Sequence, residues 1–324
     1  LTEAALVVRL GLYGSGDVSL GDDGSYLGLT WSLDGPVVHT DEAGNEITDV
    51  PEQNVALTLF PYTSERFRLG YQFDLSWGGL GLFTELNDQP VPAMRLQYND
   101  DWGYLYTGAK TTRQLQATTE PEAAGNNELA AFYGVLGGLG IALGSHVMWE
   151  VNGGWFQSGS NRKPDVIGED IISTGVSTRL SAYNGLTPGS SADFRLYQNS
   201  GELTDDYLRS RPEHADTLGW LVSAETSWLA QTLGDPDVVG GTMVQSGLAG
   251  ALNLDVSVAY WDFQVDLVYR DLAYLLRNVP SLDPLNAFPE ASRQDPEILA
   301  ALSAQLYLPD LALTPGLLVG VQLP

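Results

Sequence analysis

The chain contains no cysteine, which excludes a disulfide-stapled scaffold and a zinc-thiolate centre and fits an exported or cell-envelope protein. Lysine is almost as scarce: of fifteen Lys and Arg residues only Lys110 and Lys163 are lysine, against forty-one Asp and Glu, and the formal net charge is −26. A chain so acidic repels phosphate backbones, so nucleic acid is not expected as a partner. The acidity suits either a salty medium or loops that hold divalent cations, and composition does not choose between them. Long apolar runs are missing too. No window approaches eighteen consecutive apolar residues and mean hydropathy is −0.07, so transmembrane helices are excluded. A membrane-spanning barrel stays open, because its apolar residues are spread by alternation. The sequence starts at Leu1 without a basic and then apolar leader; the expectation is a processed chain.

What is present is 36 Gly, 15 Tyr and 8 Trp with only 17% charged residues, a composition suited to an all-β protein with tight turns and interfacial aromatics. The most regular stretch is 67–77. There Phe67, Leu69, Tyr71, Phe73, Leu75 and Trp77 alternate with Arg68, Gly70, Gln72, Asp74 and Ser76. A helix would scatter the six large side chains around its circumference, so the pattern predicts a strand with one apolar face. Its eleven residues match a tilted strand crossing a bilayer, about 9–11 residues, better than a globular strand of about 5–6. A long strand of a soluble sandwich reads the same way, so recurrence has to decide.

The pattern recurs. Alternating segments at 6–12, 27–33, 55–59, 67–77, 80–86, 94–98, 102–106, 129–135, 141–151, 176–182, 192–196, 218–228, 252–260, 263–269, 298–308 and 317–323 predict about sixteen strands (14–18), joined by hairpins in one domain over 1–324. Asp295-Pro296 is also a helix-start signal, but Ile298, Ala300, Leu302, Ala304 and Leu306 alternate, and a strand is expected there. Stretches 34–52, 111–127, 152–170, 199–216 and 229–245 read as loops; the first holds six acids and no base. Gly138, Gly140 and Gly144 sit in a frame of alternation and do not make a phosphate loop. No fixed period appears, which disfavours propellers and solenoids.

Through 66–77, 217–228, 252–269 and the aromatic hairpin at 94–106, the chain resembles the bacterial outer-membrane β-barrel superfamily and is porin-like in size. The resemblance covers nearly the whole chain, is one of pattern without a diagnostic motif, and assigns no subfamily. It implies a closed antiparallel transmembrane barrel in a bacterial outer membrane, with short periplasmic turns and longer outer loops. Two departures stand out. The sequence ends Val321-Gln322-Leu323-Pro324 where such barrels commonly carry a terminal aromatic, and 199–216 and 229–245 read as long loops at opposite ends of one strand.

If the apolar positions face lipid, Phe67, Leu69, Tyr71, Phe73, Leu75, Trp77, Trp220 and Trp228 lie outside. Arg66, Arg68, Asp74, Arg95, Glu150, Arg179, Asp193, Arg195, Glu225, Asp255, Asp266 and Arg270 then line a lumen, with Gln72, Gln97 and Gln264 among them. Arginines facing carboxylates either filter solutes by size and charge or brace the wall. No catalytic motif, metal set or cofactor site stands out: Ser145 and His146 are neighbours, which in a strand point to opposite faces, and acid pairs such as Asp22-Asp23 are explained by turns. The chain is not expected to be an enzyme. The expected function is passive diffusion of small hydrophilic solutes across an outer membrane. The alternatives are an anchoring barrel of an envelope assembly, plugged by 34–52 or 277–296, and a secreted acidic glycan-binding β-protein.

Overall fold

The computed structural model describes residues 2–6, 8–12, 18–22, 25–33, 35, 37–40, 46–49, 53–62, 67–72, 75–77, 91–116, 128–161, 165–186, 218–275, 287, 295–308 and 313–323. Alternation becomes strands: β1 (Thr2–Ala5), β2 (Val8–Leu12), β3 (Val18–Asp22), β4 (Tyr26–Ser32), β5 (Val37–Thr40), β6 (Glu46–Asp49), β7 (Asn54–Phe60), β8 (Ala93–Asp100), β9 (Gly103–Gln116), β10 (Glu128–Ala142), β11 (Val147–Ser160), β12 (Asp170–Asn184), β13 (Leu218–Gly234), β14 (Thr242–Val258), β15 (Trp261–Arg270), β16 (Glu297–Leu306) and β17 (Gly316–Leu323). One short helix, Leu272–Leu275, follows β15. The chain is therefore all-β, and no described helix is long and apolar enough to cross a membrane.

Thirteen strands form a single antiparallel sheet in the order β1-β4-β7-β8-β9-β10-β11-β12-β13-β14-β15-β16-β17. Of the expected strands, one is corrected and two are not described. Segment 67–77 is not a strand, and 80–86 and 192–196 lie outside the described residues. β7 pairs directly with β8, and β12 with β13. Residues 298–306 are strand, as the alternation indicated. β1 and β17 are the edges of the sheet, and no ladder joins them among the described residues.

Two expected loops are strand instead. β5 and β6 pair as a separate two-stranded ladder, yet Val37 opposite Asp49 keeps the register of Leu27 opposite Leu59. Residues 37–40 and 46–49 thus continue the β4–β7 pairing register, and Val37, Val38 and Ile47 favour extended backbone there. In 229–245 only 235–241 connects, because β13 runs to Gly234 and β14 starts at Thr242. Polar Thr242 and Ser246 stand on the face that carries Leu248 and Leu252 further along, so the alternation fades before the strand does. The same holds where β11 runs to Ser160, and β9 to Gln116.

Because neighbours are antiparallel, successive connections fall at alternate ends of the sheet. One end carries the turns Asp101-Trp102, 143–146 and Ala259-Tyr260 together with the longer connections 185–217 and 307–315; the other carries 61–92, 117–127, 161–169, 235–241 and 271–296.

The two faces of the sheet are inverted relative to a water-soluble β-protein, whose apolar face is the buried one. In β13, Leu218, Val222, Ala224 and Trp228 are exposed, while Glu225 and Ser227 are 4% and 0% exposed. Leu252, Leu254, Phe263, Val265 and Leu267 are likewise exposed on β14 and β15. On the opposite face Arg95, Lys110, Glu150, Asn152, Ser177 and Ser181 are each 2% exposed or less. The polar face is the inner one.

Candidate functional site

What covers the inner face is the stretch predicted to be a lipid-facing strand. Phe67, Leu69, Leu75 and Trp77 are 3%, 0%, 0% and 2% exposed. They belong to one interior cluster with Tyr104, Tyr106, Leu136, Phe156, Leu229, Val268 and Tyr274. The expectation that Phe67, Leu69, Tyr71, Leu75 and Trp77 face outward is therefore corrected; Phe73 lies outside the described residues. The segment folds back on itself. Leu69 and Trp77 exchange backbone hydrogen bonds of 2.8 and 2.7 Å, and the Leu75 and Ser76 amides donate to the Gln72 carbonyl. Gly70 makes the bend at φ +97, where an added Cβ would come 2.7 Å from Ser76 Cα. That dihedral favours glycine and ends the extended run that the alternation suggests.

The wall is shaped to receive it. Inward-facing Gly108 on β9, Gly154 on β11 and Gly175 on β12 leave room for Phe67, Leu69 and Trp77: an added Cβ would meet these side chains at 2.4, 2.7 and 2.8 Å. Trp77 packs edge-on against Phe156, with centroids 5.5 Å apart. Burying each such side chain contributes about 1.5–3 kcal/mol.

Polar groups of six strands then hold the segment. Lys110 Nζ on β9 donates to the Phe67 carbonyl at 2.9 Å, and Asn152 Oδ1 on β11 accepts from the Gly70 amide at 3.3 Å. On β13 the Glu225 carboxylate accepts from two consecutive amides, Tyr71 at 2.9 Å and Gln72 at 2.7 Å. Trp77 Nε1 donates to Ser177 Oγ on β12 at 3.2 Å. Gln72 Nε2 donates to Asp266 on β15 at 3.4 Å, and the Tyr274 hydroxyl, just past β15, donates to the Leu75 carbonyl. On β8 the Arg95 guanidinium lies 4.4 Å from the Tyr106 ring centroid and 6.0 Å from that of Phe67. One short segment thus touches a wall running from β8 to β15, so the sheet curls around it.

The other predicted inner residues sort into pairs and remainders. Glu150, fully buried, accepts from Arg179 at 2.5 and 2.7 Å and from the Tyr104 hydroxyl at 2.5 Å. Arg179 in turn lies 5.0 Å from the Tyr71 ring centroid. Burial pushes the Tyr71 phenol well above its ordinary value, so it stays neutral. Arg270 pairs with Glu297 on β16. Asp255 and Asp266 are half-buried on β14 and β15, and Asn253 Nδ2 donates to both, at 3.5 and 2.9 Å. Arg68 is half-buried; Arg66, Asp74, Asp193 and Arg195 lie outside the described residues. Trp228 is 42% exposed on the outer face, and Trp220 shares that face, half-buried.

Three further readings change. Tyr104 and Tyr106, read as part of an apolar outer face, point inward at 6% and 4% exposure, while Leu105 beside them is 51% exposed. Ser145 and His146 lie in a turn rather than a strand, so their Oγ and Nδ1 do hydrogen-bond, at 2.5 Å. Both are exposed, at the end of the sheet opposite the one from which 61–92 enters. Lys110, Asn152, Ser177, Ser227, Tyr274 and Glu297, absent from the predicted set, complete the inner network. Residues 67–72 and 75–77 occupy the interior; of 34–52 only 35, 37–40 and 46–49 are described, and of 277–296 only 287, 295 and 296. No group of His, Asp or Glu able to hold a metal ion occurs among the described residues.

No protein-family model matches the chain, and no curated protein or solved structure matches it.

Proposed function

We propose that the chain is a bacterial outer-membrane β-barrel of the porin-like kind, a passive channel for small hydrophilic solutes whose lumen is narrowed by segment 67–77. The observation that carries this is the inverted exposure: apolar side chains cover the outside of the sheet and charged ones the inside. An outer face presenting Leu252, Leu254, Val265, Leu267 and their neighbours to water would be an aggregation surface; against lipid it is the stable arrangement.

Aromatic placement supports the same reading. Outward Trp102, Trp149 and Trp261 sit near the short-turn end, and outward Tyr133, Trp155, Trp228 and Tyr269 toward the other. Trp261 and Tyr269 are eight residues apart on β15, or about 27 Å at ~3.4 Å per residue. At a tilt of about 40° that spans about 20 Å along the membrane normal, close to the ~25 Å apolar band of such barrels. Interior contacts support closure of the sheet into a barrel: Ala5 on β1 and Leu299 on β16 pack against the same cluster.

A second reading rests on that cluster. A filled interior suits an anchoring barrel with a plugged lumen. What favours the channel is the inner face of β14 and β15, where Asn253, Asp255, Asp262 and Asp266 are half-buried and Gln264 is exposed, unlike the packed wall from β8 to β13. Planar-bilayer recording separates the two. A channel gives a small steady conductance that rises several-fold when 70–76 is replaced by a short Gly-Ser linker, because the constriction leaves the lumen. A chain that inserts but stays silent in both forms is the anchoring barrel.

A further inference from the structure

Resting on that channel reading, we propose that the passage prefers cations, small hydrated ions and cationic organic solutes, and that Asp255 and Asp266 set the preference. The argument starts from what has become of the inner-wall cations. Arg179 is taken up by Glu150 at 2.5 Å and Arg270 by Glu297. Lys110 is 2% exposed with its Nζ on the Phe67 carbonyl, and Arg95, also 2% exposed, stacks on Tyr106. Two of these four are buried, and the other two, half-buried, are each paired with a carboxylate.

The carboxylates are treated differently. Glu150 and Glu225 are consumed, one by Arg179 and the other by the two amides of the inserted segment. Among the described residues, Asp255 and Asp266 accept only from neutral donors, Asn253 for both and Gln72 for Asp266. They stand one register step apart: Asn253 is opposite Asp266, and Asp255 opposite Gln264. Both keep access to solvent. Because Gln72 belongs to the inserted segment, its bond to Asp266 puts that carboxylate beside the constriction. Solutes passing the segment therefore meet two negative charges without a positive partner among the described residues, backed by a wall of low dielectric, and such a wall enriches cations and repels anions. The effect acts on transit and needs no bound ion.

The test is a reversal potential across a planar bilayer under a potassium chloride gradient, for the wild type and for the D255N/D266N variant. The proposal expects a cation-to-anion permeability ratio clearly above one in the wild type, falling to about one in the variant with conductance retained. Should the double variant fail to insert, Asp255→Asn alone leaves the Asn253–Asp266 bond in place and is expected to give a partial fall. An anion preference in the wild type, or a ratio unmoved by the substitutions, overturns this inference and leaves the channel standing. A wild type that inserts without current overturns both.

Discussion

Glu150 and Arg179 are the pair on which most of the inner network turns. The carboxylate is fully buried and the arginine side chain 12% exposed, so removing one partner strands a charge in a dry place. Glu150→Ala is expected to lower stability by about 3–5 kcal/mol, read as a shift in the urea midpoint of the detergent-solubilised protein; a shift within about 0.5 kcal/mol, typical of a surface site, contradicts the burial. Gly175 bears on the inserted segment more directly. An added Cβ there would meet the Trp228 carbonyl at 2.3 Å and Trp77 Cζ2 at 2.8 Å, an overpacking worth about 1–3 kcal/mol. The variant should unseat Trp77, making its fluorescence accessible to an aqueous quencher; unchanged protection means the cradle is not what seats the segment.

At this scale strand parity is what the sequence discloses. Arg95, Glu150, Arg179, Glu225, Asp255, Asp266 and Arg270 all stand on the inner face because period-two alternation fixes which residues share a side. It fails where the inner side is itself built of large rings: β9 puts Tyr104 and Tyr106 inside and Leu105 outside, and hydrophobicity alone does not say which face is which.

Among elements, 67–77 shows what alternation leaves undetermined. A segment that packs one side against a wall and turns polar groups to the other alternates whether or not it joins the sheet. Two signals in the sequence bear on the difference. The span between β7 and β8, 61–92, is far longer than a hairpin loop. Glycines at 108, 154 and 175 also interrupt strands where only a close neighbour would make them useful. The exact fit of segment to wall depends on contacts far apart in sequence, such as Tyr71 with Glu225, and no local pattern encodes them. The outer face is the more legible element. Leu252 lies opposite both Ala224 and Leu267, midway between Trp220 and Trp228 along the neighbouring strand, and is 54% exposed. Leu252→Arg is expected to cost about 2–4 kcal/mol when the protein folds into lipid vesicles, measured by reversible urea titration. On a sheet whose outer face met water, the same change would stay within about 0.5 kcal/mol.

For the molecule as a whole, absence of cysteine, scarcity of lysine and lack of apolar runs narrow the class, and thirteen alternately antiparallel strands supply a wall that curls around its own loop. Whether the apolar outer side of that wall meets lipid is the central question. It is tested most directly with two single-tryptophan variants, one keeping Trp228 and the other Trp77, folded into vesicles whose acyl chains carry bromine as a contact quencher. The account predicts strong quenching of Trp228 and little of Trp77. Equal quenching of both, or a Trp228 that the brominated lipid does not reach, would contradict it.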